Sequence, residues 1–194
     1  MLVLCRHGRT ATNAAARLQG RIDTPLDDLG RRQAAALAAA VGPVDRVVSS
    51  PLLRAVQTAE AFGPAIDLDE RWIELDYGDW DERPLGDVTA DEWRRWRADV
   101  EWVPPAGESL TTLGARVRTA CADLADEATE RTIVVVSHVS PIKAAAAWAL
   151  GVGDEVVWRM HLAPASISRV TVRGGTSVLF SFNETGHLAA AGGP

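Results

Sequence analysis

The chain has 194 residues, 47% of them apolar and 24% charged, with a formal net charge of −6. That length favours one domain with an ordinary hydrophobic core, given ~100–200 residues per domain. The acidic balance argues against a general nucleic-acid binder, which presents a basic face. No stretch approaches the ~18 uninterrupted apolar residues of a membrane span, so neither nucleic acid nor membrane is an expected partner.

The predicted elements alternate between strands and helices. Leu2–Cys5 reads as a buried strand that stops at Arg6-His7-Gly8. Met1 to Cys5 has no basic or long apolar region of a secretory leader. Cys5 and Cys121 both fall in apolar stretches and read as reduced core thiols, which points to a cytoplasmic home. A loop runs through Asn13, Gln19-Gly20 and Asp23-Thr24-Pro25. Asp27 is the predicted N-cap of a helix to about Val41, closed by Gly42-Pro43.

Arg46–Ser49 is a second strand. Ser50 is predicted to cap a helix with Pro51 at its first position. Ala65–Leu68 is a third strand and residues 70–88 are irregular. A helix runs from Thr89 to about Val100, and Ser109 caps another to about Glu130, with Leu110, Leu113, Val117, Cys121 and Leu124 near a 3–4 spacing. Ile133–Ser137 is a buried strand. Ser140-Pro141 repeats the cap-plus-proline start of a helix to about Leu150. Ser166–Val172 and Val178–Phe182 form a hairpin around Arg173-Gly174-Gly175, and Gly186–Pro194 is expected to fray. This alternation predicts a single domain over 1–194, an α/β three-layer sandwich with a largely parallel central sheet and a mixed edge.

Ligands of open α/β sheets bind outside the carboxyl ends of the strands. Four chemistry-bearing segments fall there or in adjoining loops. They are Arg6-His7, Arg54 within Ser49-Ser50-Pro51-Leu52-Leu53-Arg54, Glu74 within Trp72-Ile73-Glu74-Leu75-Asp76-Tyr77-Gly78, and His138 within Val136-Ser137-His138-Val139-Ser140-Pro141. Together they suit phosphoryl transfer. A phosphomonoester carries nearly two negative charges, and arginine forks grip its oxygens with charge-assisted bonds. Their field lowers the pKa of a neighbouring histidine and keeps it nucleophilic. A carboxylic acid protonates the departing alkoxide. A helix starting at Ser140-Pro141 aims amides at an anion. Taken singly, each residue is more readily structural: a satisfied histidine, a surface arginine, a loop carboxylate. Their joint order carries the argument.

In that order the four segments resemble the histidine phosphatase superfamily, also called phosphoglycerate mutase-like, over about the first three quarters of the chain. The resemblance implies a phosphohistidine on His7 and a phosphoryl group held by Arg6, Arg54 and His138. It implies Glu74 as general acid, Asn13 touching phosphate, and Gln19 and Gly20 lining the substrate, with the Val139 amide available to phosphate. The implied activity is hydrolysis of a small phosphorylated metabolite without metal or other cofactor. The remaining alternatives are mutase-type phosphotransfer of the cofactor-dependent kind and a non-catalytic phospholigand-binding protein of the same fold. The Ser-His-Val-Ser-Pro-Ile-Lys run is also similar to phosphatases acting on α-ribazole phosphate.

Three positions depart from the family pattern. Arg9 stands where Glu or Gln is usual, and reads either as a solvated side chain or as an extra cation at the pocket rim. Val139 stands where Gly is common, and Asp81-Glu82 replaces a frequent Glu-Gly. Residues about 76–108 are a candidate substrate cap, with Trp93, Trp96 and Trp102 either facing substrate or packing their helix on the body. Lys143 is a similar candidate for substrate choice. His161 and His187 lie outside the motifs and read as structural or exposed.

Overall fold

A computed structural model of the protein describes residues 1–193. Its six strands are β1 (Leu2–Arg6), β2 (Arg46–Ser49), β3 (Asp67–Leu68), β4 (Ile133–Ser137), β5 (Ile167–Arg173) and β6 (Thr176–Glu184). They form one sheet in the order β3-β2-β4-β1-β5-β6. The first four of these run parallel, and β5 and β6 add an antiparallel edge. The expected mixed architecture is the observed one.

Helices cover both faces, so the central strands have no solvent side and read as unbroken apolar runs. Every residue of β4 is buried. Side chains still alternate across the sheet. Leu2, Leu4, Ile133 and Val135 join one core cluster with Leu113, Val117 and Ile142. Val3, Cys5, Val134 and Val136 join the other with Leu37 and Ala55. The first layer thus holds α5 (Leu110–Ala125) and α6 (Val139–Leu150), and the second holds α2 (Asp28–Val41) and α3 (Leu53–Ala59). No helix among the described residues is long and apolar enough to cross a membrane.

Two predicted caps form, at Asp27 and Ser109, and a third forms at Thr89, the expected first helical residue. Asp27 Oδ1 accepts from the Gly30 amide at 2.8 Å, Ser109 Oγ accepts from the Thr112 amide at 3.1 Å, and Thr89 makes a reciprocal capping box with Glu92 at the start of α4 (Ala90–Ala98). The two Ser-Pro starts require correction. Helix α3 begins at Leu53, not Pro51. The Ser50 hydroxyl lies 2.7 Å from His138 Nε2, and the Leu53 amide donates instead to Asp23 Oδ1 at 2.6 Å. Helix α6 begins at Val139 with His138 as its N-cap. Ser140 and Pro141 complete its first turn, where a missing N–H costs no intrahelical bond.

Other boundaries shift as well. The loop after β1 contains the short helix α1 (Ala11–Ala14), held by a Thr10–Asn13 capping box. Helix α5 ends at Ala125, followed by a 3-10 turn over Glu127–Thr129. The tail is not frayed through Gly193. It forms 3-10 turns over Gly186–Ala191, buries Leu188 in the Leu37 cluster, and offers the Gly193 carbonyl to Gln33 Nε2 at 2.8 Å. Pro194 lies outside the described residues.

One close crossing positions the loop after β1. A Cβ on Gly30 would stand 2.0 Å from the Arg9 carbonyl oxygen. Glycine there lets the first turn of α2 press directly on the backbone next to His7.

Candidate active site

Because β1 and β4 are parallel neighbours with Arg6 opposite Ser137, their carboxyl ends deliver Arg6-His7 and His138 together. The His7 and His138 ring centroids are 5.1 Å apart. Arg54 comes from α3, the crossover helix after β2, and Glu74 from the irregular segment after β3. Arg6, His7, Asn13, Gln19, Arg54 and Glu74 line one cavity of about 390 Å³, and Gly20 and Val139 also reach it. His138 stands behind this wall, fully buried.

The His7 ring is fixed in one tautomer. Nδ1 lies 2.7 Å from the Gly8 carbonyl oxygen, which can only accept, so Nδ1 carries the proton and Nε2 keeps its lone pair. Burial first, then the Arg54 and Arg6 charges, hold this imidazole well below the usual histidine value. Burial, then Arg54, His7 and Arg6, does the same to His138. Sequence reasoning credited the arginines alone; burial is the larger cause.

Both arginines are anchored through backbone carbonyls rather than carboxylates. Arg6 Nη1 donates to Leu162 O at 2.7 Å. Arg54 donates from Nη1 to Ile22 O at 2.6 Å and from Nη2 to Gly20 O at 2.7 Å. Burial draws each guanidinium down to about 10, opposed mainly by the Glu74 charge. Arg6 Nε, Arg54 Nε and His138 Nδ1 are buried without a partner among the described residues. Each unpaired buried polar group costs ~1–3 kcal/mol, a cost that an oxyanion would relieve. Two guanidinium groups flanking both imidazoles favour an anion and disfavour a cation.

The Glu74 carboxylate is held by three amides. Oε1 accepts from Leu75 N at 2.8 Å and Ser140 N at 3.1 Å, and Oε2 accepts from Val139 N at 3.1 Å. This corrects the reading of the α6 start. The Val139 and Ser140 amides, expected to face a phosphate, are bonded to Glu74, because that side chain lies over the positive end of the helix.

Asn13 and Gln19 form a polar network beside the cavity. Asn13 Nδ2 donates to Gln19 Oε1 at 3.2 Å, Asn13 Oδ1 accepts from the Thr10 amide at 3.2 Å, and Gln19 Nε2 donates to Thr24. Gly20 has φ +48°, and a Cβ there would meet Asp81 Oδ1 at 1.9 Å. Glycine thus lets its carbonyl reach Arg54 while Asp81 closes the other side. Burial, then the nearby Asp76, pushes the Asp81 carboxyl up to about 6.

Arg9 does not line the cavity. Its Nε pairs with Asp27 Oδ2 at 2.8 Å, across the N-cap of α2. Glu82 adopts φ +64°, the left-handed region that glycine occupies at least cost, which explains why glycine is frequent there. Within residues 76–108, Trp93 and Trp96 both pack together and line the cavity, whereas Trp102 packs on Trp80 and Trp96 without lining it. Trp93 and Trp96 stack at 5.6 Å, Trp96 meets Trp158 edge-on at 5.0 Å, and all three also face the cavity. His161 is exposed, and His187 Nε2 lies 3.0 Å from Ala165 O.

Two positioning residues escaped the sequence. Ser50 holds His138 through its hydroxyl. Arg116 fixes the Glu74 segment, donating to Arg71 O and Ile73 O at 2.7 Å each and to Glu74 O at 3.2 Å, with Glu108 as its ion-pair partner at 2.9 Å. Ser50 resembled a helix cap and Arg116 a polar residue on an amphipathic helix, so no local signal separated them.

The buried imidazoles make stability depend on pH. Both are depressed below 6.5 in the fold, so the unfolded chain binds more protons than the native state below that pH. Native stability is full above pH 6.5 and falls on acidification, by up to about 1.4 kcal/mol per pH unit for each ring. Thermal melts from pH 7.5 down to 5 should show this loss, and His138→Gln should flatten it. An equal slope in both proteins would contradict the assignment.

The strand order and the ring pair at the carboxyl edge define an α/β protein of phosphoglycerate mutase-like architecture. The chain belongs to the histidine phosphatase superfamily, branch 1, whose family model matches residues 2–185. It is 36% identical over 199 residues to a bifunctional protein of Mycobacterium tuberculosis, covering 96% of this chain and 54% of that one. The chain thus spans about half the length of that curated relative. It is 38% identical over 164 residues to glucosyl-3-phosphoglycerate phosphatase of M. tuberculosis, covering 75% of this chain and 73% of the other. Among solved structures it resembles a mutant phosphoserine phosphatase from Entamoeba histolytica in complex with phosphoserine. There the TM-score is 0.89 at 29% identity, covering 96% of this chain and 98% of that one.

Proposed function

We propose that the protein is a phosphomonoesterase that hydrolyses a small phosphorylated metabolite through a phosphohistidine on His7. The observation that carries this reading is the His7 ring, its Nδ1 proton committed to Gly8 O, so that Nε2 keeps its lone pair in a cavity that Arg6 and Arg54 also line. The phosphoryl oxygens pair with Arg6 and Arg54, with Asn13 and Gln19 beside them and His138 backing the wall behind His7. His7 Nε2 attacks phosphorus as the ester P–O bond breaks, and the leaving oxygen takes a proton from the Glu74 carboxyl. Water then attacks the phosphohistidine, giving its proton to the Glu74 carboxylate. The P–N bond breaks, and inorganic phosphate leaves. Charge spread over the equatorial oxygens makes fixed donors the main source of rate, about 10²–10³ for one donor.

Glucosyl-3-phosphoglycerate phosphatase and phosphoserine phosphatase, the relatives above, support a small phosphorylated substrate. Purified protein incubated with sugar phosphates, phosphoglycerates, phosphoserine and α-ribazole phosphate should release inorganic phosphate from at least one of them between pH 5 and 8. Release that requires a bisphosphorylated sugar acid as primer would favour mutase-type transfer. Tight binding with no release from any ester would favour a phospholigand-binding protein.

A further inference from the structure

Lys143 is the chain's only lysine and lies one turn beyond Val139 on α6, so both share the stripe of the helix that faces the cavity. The other cations of the cavity are Arg17 and the two arginines of the phosphate reading, Arg6 and Arg54, which donate to backbone carbonyls. Lys143 makes no hydrogen bond or ion pair among the described residues, although it is only partly exposed. Glu74 is the acidic residue that faces it in the cavity, and the Glu74 oxygens already accept three amides. The other walls offer no counter-charge, being Trp93, Trp96, Trp158, Leu85, Leu110 and Val157. Arg17 is exposed and donates to the Glu82 carbonyl. Burial pulls the Lys143 ammonium below the usual lysine value, against the pull of Glu74.

A half-buried, unpaired ammonium inside a ligand cavity costs free energy unless a ligand pairs it. We propose that Lys143 binds a second anionic group of the substrate, a carboxylate on the leaving-group side, so that the substrate class is phosphorylated hydroxy acids. This rests on the phosphate reading of the same site. A carboxylate fits better than a second phosphate, because a single ammonium is a point charge whereas phosphate is gripped by guanidinium forks, as at Arg6 and Arg54.

Binding measured without turnover tests the idea. In a His7→Ala background, calorimetry would compare 3-phosphoglycerate with glycerol 3-phosphate, which carries a hydroxymethyl group in place of the carboxylate. With Lys143 present, the carboxylated ester should bind at least about tenfold tighter, the scale of a hydrogen bond to a charged group. Lys143→Met should collapse that preference to within about twofold, and Lys143→Arg should keep most of it. A preference that survives in the Met variant, an equal loss for both esters, or no binding of either overturns the proposal. Turnover with His7 intact is a separate readout. Absence of phosphate release with the binding preference intact would overturn the hydrolytic reading and leave the carboxylate site standing. A kcat loss common to both esters would mean that Lys143 acts through Glu74, and would also overturn it.

Discussion

His7→Ala should reduce phosphate release by about ten-thousand-fold or more, because it removes the atom that accepts phosphorus. It should leave phosphomonoester binding largely in place, since Arg6 and Arg54 are anchored independently of the ring, on Leu162 O and on Gly20 O and Ile22 O. Removing a buried ring can also unfold the protein, so melting curves of both forms belong beside the kinetics. Rapid quenching of the wild type with labelled substrate should trap an acid-labile, base-stable phosphoprotein, and the alanine variant should show none. Turnover that persists in a folded His7→Ala protein would sink the covalent mechanism.

Glu74→Gln should have the next largest effect, and its size should depend on the leaving group. Proton transfer by a positioned side chain contributes roughly 10²–10⁴ in rate. An alkyl alcohol needs that proton and 4-nitrophenolate does not. The variant should therefore lose about 10²–10⁴ in kcat/KM on an alkyl phosphate and at least about tenfold less on 4-nitrophenyl phosphate. The second step still lacks its base with either ester. With 4-nitrophenyl phosphate the variant should give a burst of nitrophenolate and accumulate the phosphoenzyme. Equal losses for both esters and no burst would remove Glu74 from proton transfer. The amide-side geometry survives the substitution only in part. The Gln nitrogen cannot accept, so at least one of the Leu75, Val139 and Ser140 amides loses its partner at a cost of ~1–3 kcal/mol each.

The parts of the fold that follow from periodicity and caps were readable in the chain. Ile133–Ser137 reads as a doubly covered strand, and Asp27 and Ser109 each cap through an oxygen three residues before the amide it accepts from. Motif order likewise named residues that the structure brings to one cavity, Arg6, His7, Arg54 and Glu74, with His138 behind its wall. What escaped was whatever a distant partner decides. Ser50 has the chemistry of a helix cap, but His138, 88 residues away in sequence, takes its hydroxyl. The Val139 and Ser140 amides have the chemistry of an anion site, but an internal carboxylate reaches them first. The tail looked free because Gly and Ala dominate it, yet one leucine suffices to fasten it to α2. Unpaired nitrogens such as Arg54 Nε emerge only once every neighbour is placed.

The solitary amine on α6 also has a practical consequence. Acylating reagents act on the free base, and burial shifts Lys143 toward that form. In a chain whose other 19 strongly basic side chains are all arginine, such a reagent meets a single side-chain amine, and that amine lies in the cavity wall. Mass spectrometry after graded labelling would then report occupancy directly, with a bound ligand shielding one peptide and leaving the remainder of the map unchanged.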